Sequence, residues 1–203
     1  MSKCGARGSS KIDVAAVQRL INKWGKDAVF NAKTDKYDKT CLFYAAGNSD
    51  GYLTWFLLKA GADPDYPNYA GEEPPVTEAA ENGKLHNVEI LLAFNTDVSL
   101  GKSMALWDAA DGEDSPTQAK IAYLLMQNGA DPNDINGRRL GPTPFMFAVY
   151  YARIRVIREM AKWMGTVPNI TKADVSSSKR SSYYNVTLAI REGQEERAKL
   201  LSE

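Results

Sequence analysis

Apolar residues along this chain cluster in short helical stretches, and the clusters return at a fixed interval. Trp55-Phe56-Leu57-Leu58, Val88-Glu89-Ile90-Leu91-Leu92, Ile121-Ala122-Tyr123-Leu124-Leu125 and Val156-Ile157-Arg158-Glu159-Met160 carry their apolar side chains at helical spacing rather than strand alternation. A turn signal follows each one: Gly61-Ala62-Asp63-Pro64-Asp65, Asn95-Thr96-Asp97-Val98-Ser99, Gly129-Ala130-Asp131-Pro132-Asn133 and Gly165-Thr166-Val167-Pro168-Asn169. These begin at 61, 95, 129 and 165, so successive copies lie 34, 34 and 36 residues apart. A fixed period of this size marks a repeat architecture.

A second theme precedes each helical stretch. It reads Thr40-Cys41-Leu42-Phe43-Tyr44-Ala45-Ala46, Pro74-Pro75-Val76-Thr77-Glu78-Ala79-Ala80, Met104-Ala105-Leu106-Trp107-Asp108-Ala109-Ala110 and Thr143-Pro144-Phe145-Met146-Phe147-Ala148-Val149, with a weaker fifth copy at Tyr184-Asn185-Val186-Thr187-Leu188-Ala189-Ile190. A polar cap or a proline starts a helix, and small Ala residues let neighbouring helices approach. The Gly at the end of the second helix takes the left-handed backbone that stops it. The following Asp-Pro turns the chain away. One such unit cannot hide its apolar face alone, so units must stack.

Both themes together resemble the ankyrin-repeat family, whose pattern is Gly, then Thr-Pro-Leu-His-x-Ala-Ala, a second helix with Leu-Leu, and Gly-Ala-Asp-Pro/Val-Asn. Residues 61–65 and 129–133 match its ending, and residues 40–42 and 143–145 match its beginning loosely. The resemblance runs over about residues 12 to 201. It implies an all-α ankyrin-repeat solenoid of stacked helix-turn-helix units joined by short hairpin-like loops. The units expected are an N-terminal capping unit 12–36 (with Val14, Val17, Leu20, Ile21 and Trp24 on its final helix), repeats 37–69, 70–102, 103–136 and 137–170, and a C-terminal capping unit 171–203. Residues 1–10 read as a disordered or tag-derived tail before a single domain, 11–203. Three departures stand out. The family's histidine position holds Phe43, Thr77, Trp107 and Met146, so packing should replace the usual Thr–His hydrogen bond. The loop from Asp111 to Gln118 reads as longer than the others, and Thr166 to Ser182 makes the last unit irregular.

Composition narrows the function. With 25 basic and 25 acidic residues the net charge is zero, and 44% hydrophobic residues can fill a continuous core. Nothing global draws such a chain to nucleic acid. No apolar run of about 18 residues exists, so membrane insertion is not expected. No signal peptide is read, and a reducing cytoplasm is the default expectation; export follows only if a signal has been removed from the chain. Cys4, Cys41 and the single histidine, His86, are too few for a zinc site or a disulfide framework. Cys41 reads as a small buried residue, and His86 as a loop residue opening a helix. A Cys41–His86 dyad would join side chains from different units with a buried, un-ionised thiol. Gly101-Lys102-Ser103 resembles the tail of a phosphate loop but lacks the earlier Gly, where Thr96 stands. Neither catalytic residues nor cofactor nor metal is expected.

The resemblance implies a monomer that binds another protein through its loops and the outer faces of the first helices. The partner-binding residues expected on that basis are Tyr66, Tyr69, Glu72, Glu73, Glu78, Asp108, Asp111, Arg138, Arg139 and Tyr150. Tyr is favoured at interfaces because it is large, stiff and amphipathic. Tyr44 and Tyr151 fit packing and recognition equally. Acidic residues (Glu72, Glu73, Glu78, Glu81, Asp108, Asp111, Glu113, Asp114) crowd the second and third units, and basic ones (Arg138, Arg139, Arg153, Arg155, Arg158) crowd the fourth. Such a dipolar face would steer a partner of opposite polarity and suits DNA poorly. The expected role is an inhibitor or immunity-type protein that blocks one partner; the alternative is an adaptor, scaffold or delivered effector engaging a host protein.

Overall fold

The computed structural model describes residues 14–33, 39–48, 51–68, 73–100, 103–134 and 143–164. The tail 1–10, the fifth motif copy and the C-terminal capping unit 171–203 lie outside the described residues. Among the described residues the protein is all-α, with ten helices and no strand. They are α1 (Val14–Trp24), α2 (Lys26–Phe30), α3 (Cys41–Ala46), α4 (Gly51–Ala60), α5 (Pro75–Glu81), α6 (Leu85–Ala93), α7 (Met104–Asp111), α8 (Pro116–Gln127), α9 (Pro144–Tyr150) and α10 (Ile154–Trp163).

The helix starts follow local chemistry. Thr40, Thr143 and Ser115 each accept, through the side-chain oxygen, a hydrogen bond from the backbone N–H three residues on, at 3.3, 3.1 and 3.1 Å. This satisfies one of the amides that a helix leaves open at its beginning. Pro75, Pro116 and Pro144 occupy the first helical position, where the missing N–H costs nothing. Gly61 and Gly129 stop their helices at φ +103° and +105°, a region L side chains avoid. Asn95 fills the same role in the copy between them, at φ +59°.

Packing arranges the helices in two rows. α3, α5, α7 and α9 touch in that order, and so do α4, α6, α8 and α10; within each pair, first and second helix also touch. The Ala pairs make the first row tight: Ala45, Ala46, Ala79, Ala80, Ala109, Ala110 and Ala148 are all fully buried. The second row contributes Leu57, Leu91, Leu125 and Ile157, one per pair and each without exposed surface. Burying such a side chain stabilises by about 1.5–3 kcal/mol. All of these belong to one continuous core cluster.

Several details differ from the sequence reading. The five apolar residues expected on the capping unit's final helix lie on α1, its first, with α2 following; α1 buries only Val17 and Ile21 and leaves Leu20 and Trp24 exposed. The inward face there is a single stripe, and α2 adds Val29 and Phe30 to the core. At the histidine position, packing replaces the hydrogen bond for Phe43, which is buried, and for Trp107, which sits on Phe147 with ring centroids 4.1 Å apart. Thr77 instead donates its hydroxyl to the Pro74 carbonyl at 2.6 Å, and Met146 points outward. The loop read as long is only residues 112–115, because α7 continues through Asp111 and Pro116 begins α8. Cys41 is buried as expected, but it is disulfide-bonded rather than a free thiol. The other cysteine in the sequence, Cys4, lies outside the described residues.

Candidate docking surface

Side chains at the start of three second helices tie each helical pair to the one before it. Asn87, in the first turn of α6 and 1% exposed, donates its amide NH2 to the carbonyls of Ala45, Ala46 and Asn48 at 3.3, 2.8 and 2.6 Å. Gln118, in the first turn of α8, donates to the Ala80 carbonyl at 3.1 Å. Arg153, at the start of α10, donates to the Asp111 carbonyl at 2.8 Å. Each side chain therefore reaches back to the end of the preceding unit's first helix, where carbonyls lack intrahelical partners. The sequence reading missed this set. A polar residue recurs at the opening of α6, α8 and α10, but as three different residue types.

The loops after the second helices repeat a second device. Asp63, Asp97 and Asp131 each accept through Oδ1 from the backbone N–H two residues on, at 2.9, 2.9 and 2.8 Å. This is the turn that Asp and Asn form with their own backbone. Neighbouring turns are tied together: Asp97 N–H donates to Asp65 Oδ1 at 2.9 Å, and Asp131 N–H to Ser103 Oγ at 3.0 Å. Burial raises the Asp65 carboxyl above its ordinary value, against the lowering effect of that Asp97 bond. Hydrogen bonds from the Ser99 hydroxyl and amide hold Asp97 below its own.

Of the residues expected to meet a partner, Tyr66 is half-buried at the mouth of its loop. That loop is closed by hydrogen bonds from Asn68 N–H to the Glu73 carbonyl at 3.1 Å and from Asn68 Nδ2 to the Glu73 carboxylate. Glu73 thus braces the loop. Tyr69, Glu72, Arg138 and Arg139 lie outside the described residues. Glu78 bridges units: it pairs with Lys39 at 3.1 Å and packs on Gly47, where an added Cβ would stand 2.7 Å from Glu78 Cγ. Asp108 is only 5% exposed and so offers a partner little surface. Asp111 is exposed. Tyr150 and Tyr151 are 43% and 46% exposed, with centroids 4.8 Å apart edge to face.

These tyrosines end an aromatic run. Trp107 contacts Phe147, Phe147 contacts Tyr151 at 4.5 Å, and the Arg153 guanidinium lies 5.7 Å from the Tyr151 ring. Tyr151 is therefore both packed and exposed. The run joins α7 to α9 and reaches the surface beside Asp111, whose carbonyl Arg153 holds.

One cation of the basic set meets one carboxylate of the acidic set across the junction of the third and fourth pairs. Arg155 pairs with the Asp114 carboxylate at 3.1 Å, its backbone N–H also binds that carboxylate, and its guanidinium reaches the Asp114 carbonyl. Arg155 and Asp114 neutralise each other there, while Asp111, Glu113 and Arg158 stay exposed. This shrinks the dipole available to steer a partner.

The residues weighed for catalysis are placed apart in character. His86 is exposed, with Glu89 3.8 Å away on the same helix, and its ring lies against Gly51. Cys41 is buried and disulfide-bonded, so it has no thiolate to offer. Among the described residues no group of three or more His, Cys, Asp or Glu is placed to hold a metal, and no helix is long and apolar enough to cross a membrane. Compared with known proteins, the chain matches no protein-family model and no curated sequence.

Proposed function

We propose that this protein is a non-catalytic binding module of the ankyrin type, which docks one partner protein along its first-helix row and the connecting loops and thereby blocks or shields it. The observation that carries the reading is the unit-to-unit capping by Asn87, Gln118 and Arg153. It ties the end of each first helix to the following pair, while Asp97 N–H to Asp65 Oδ1 and Asp131 N–H to Ser103 Oγ tie the described parts of successive connecting loops, and loops tied to their neighbours are suited to recognition. Half-buried Tyr66 and the exposed Tyr150–Tyr151 pair supply aromatic anchors at two places along that row. An exposed His86 and an oxidised Cys41 support the non-catalytic part.

The test is affinity capture from the native source with wild-type protein and with a Tyr66→Ala, Tyr150→Ala double variant, followed by mass spectrometry and an activity assay of the captured protein. One stoichiometric partner, inhibited by the wild type and lost by a variant that unfolds at the same temperature, is the expected result. Capture unchanged by the double variant would move the interface elsewhere. Turnover of any captured molecule by the purified chain would end the non-catalytic reading.

A further inference from the structure

The second-helix row carries a feature that partner binding along the first row does not use: a groove between α8 and α10, of about 500 Å³. From α8 it is lined by Pro116, Ala119, Lys120 and Tyr123. From α10 it is lined by Arg155, Arg158, Glu159 and Lys162. Both sets follow the spacing i, i+3, i+4, i+7, which is one face of a helix. Two helices therefore present matching stripes, each about 10 Å long. The α8 stripe is mostly apolar, with Tyr123 43% exposed. The α10 stripe is cationic at three of its four positions.

The charges indicate what fits. Four cations and one carboxylate line the groove, although the chain as a whole is neutral. Carboxylates already sit on these cations: Glu89 on Lys120 at 3.0 Å, Asp114 on Arg155 at 3.1 Å and Glu159 on Lys162 at 2.7 Å. The side chains of Lys120, Arg155 and Lys162 nevertheless remain 55%, 52% and 55% exposed. A Lys ammonium has three donors and an Arg guanidinium five, so one carboxylate satisfies neither. We propose that this groove is a second docking site, for an acidic segment of a partner protein that sets an apolar side chain over Tyr123 and Ala119 and its carboxylates against the α10 cations. A short groove with an apolar floor and its own Glu159 favours a peptide over nucleic acid, which binds along an extended basic stripe. The proposal stands independently of the first-row reading. Two docking faces on opposite rows are also what an adaptor requires, so this site bears on the choice between adaptor and inhibitor.

The test uses the full chain and fluorescence anisotropy with a labelled ten-residue peptide of alternating Glu-Glu and Leu-Leu pairs. Saturable binding that weakens with added salt is expected, together with a loss of about tenfold or more in an Arg158→Glu, Lys162→Glu variant. The Arg158→Lys, Lys162→Arg variant should retain binding, and circular dichroism checks that both variants fold. Tyr66→Ala with Tyr150→Ala should leave this affinity unchanged, which separates the groove from the first-row site. Absence of saturation, equal binding by the charge-reversed variant, or tighter binding of a single-stranded oligonucleotide than of the peptide would each overturn the proposal.

Discussion

Replacing Asn87 by Ala should destabilise this protein more than any other single polar substitution among its described side chains. The amide has two hydrogens and three carbonyl acceptors, at 2.6, 2.8 and 3.3 Å, so two bonds are strong and the third is shared. All three acceptors belong to the end of α3 and the turn after it, in the preceding unit. Removal takes this donor from the buried Ala46 carbonyl and from that of the exposed Asn48, while Ala45 keeps the Asn48 N–H at 3.0 Å, and each loss that water cannot make good costs about 1–3 kcal/mol. The variant also removes Asn87 Oδ1, itself buried without a partner, which returns about 1 kcal/mol. The net loss should be about 2–4 kcal/mol, lowering the melting temperature by about 2–4 °C per kcal/mol in a chain of this size. Gln118→Ala removes a single bond and should cost about half as much. Urea unfolding of both, beside the exposed control Asn22→Ala, gives the comparison. If Asn87→Ala fell within about 0.5 kcal/mol of that control, the side chain would not be capping α3, and the stacking argument would lose its main support.

Other outcomes follow from the same contacts. Leu91→Ala, at a site with no exposed surface, should cost about 2–5 kcal/mol in chemical unfolding; a loss below about 1 kcal/mol would mean the site collapses around the gap. Ala152 adopts φ +56° in the turn between α9 and α10, so Ala152→Gly should raise stability by about 0.5–1 kcal/mol, where an ordinary Ala→Gly change lowers it. Asp97 has a lowered carboxyl pKa, so its contribution is complete above the unfolded value and is lost as pH falls through the folded one. Ser99→Ala should move its carbon-detected NMR titration upward and flatten the acid limb of stability. Asp65 has the opposite sign: its raised pKa makes the ionised form a cost above that value, and Asp65→Asn, which keeps an oxygen for the Asp97 amide, should be neutral or stabilising at pH 7 and not at pH 3.

The parts of this structure legible in the sequence are those written locally. Gly61, Asn95 and Gly129 end helices, Thr40 and Thr143 begin them, and the 34-residue spacing places one after another. The Ala pairs and the leucines at 57, 91 and 125 are equally readable, because each repeats in kind as well as in place. What escaped is chemistry that repeats in place but not in kind. Asn, Gln and Arg perform one task at 87, 118 and 153 with side chains of different length, and nothing local marks them as equivalent. The candidate surface was less legible still. A carboxylate on a first helix can be buried, as Asp108 is within α7, or exposed, as Asp111 is at its last position, although the two share a helix face. Arg155 and Asp114 are 41 residues apart, so their pairing emerges only when adjacent units are in register.

The back-reaching side chains give the array a polarity. Every one of them lies in a later unit and serves an earlier one, so the ends of the molecule are not equivalent. Trimming from the amino end discards helices whose capped carbonyls leave with them, and the donors left behind meet water. Trimming from the carboxyl end, between α9 and α10 for instance, strips the donor from a helix that stays. Wear at the two ends should therefore differ: either cut uncovers apolar surface of the shared core, but only shortening at the carboxyl side also strips the capping donor from a first helix that remains.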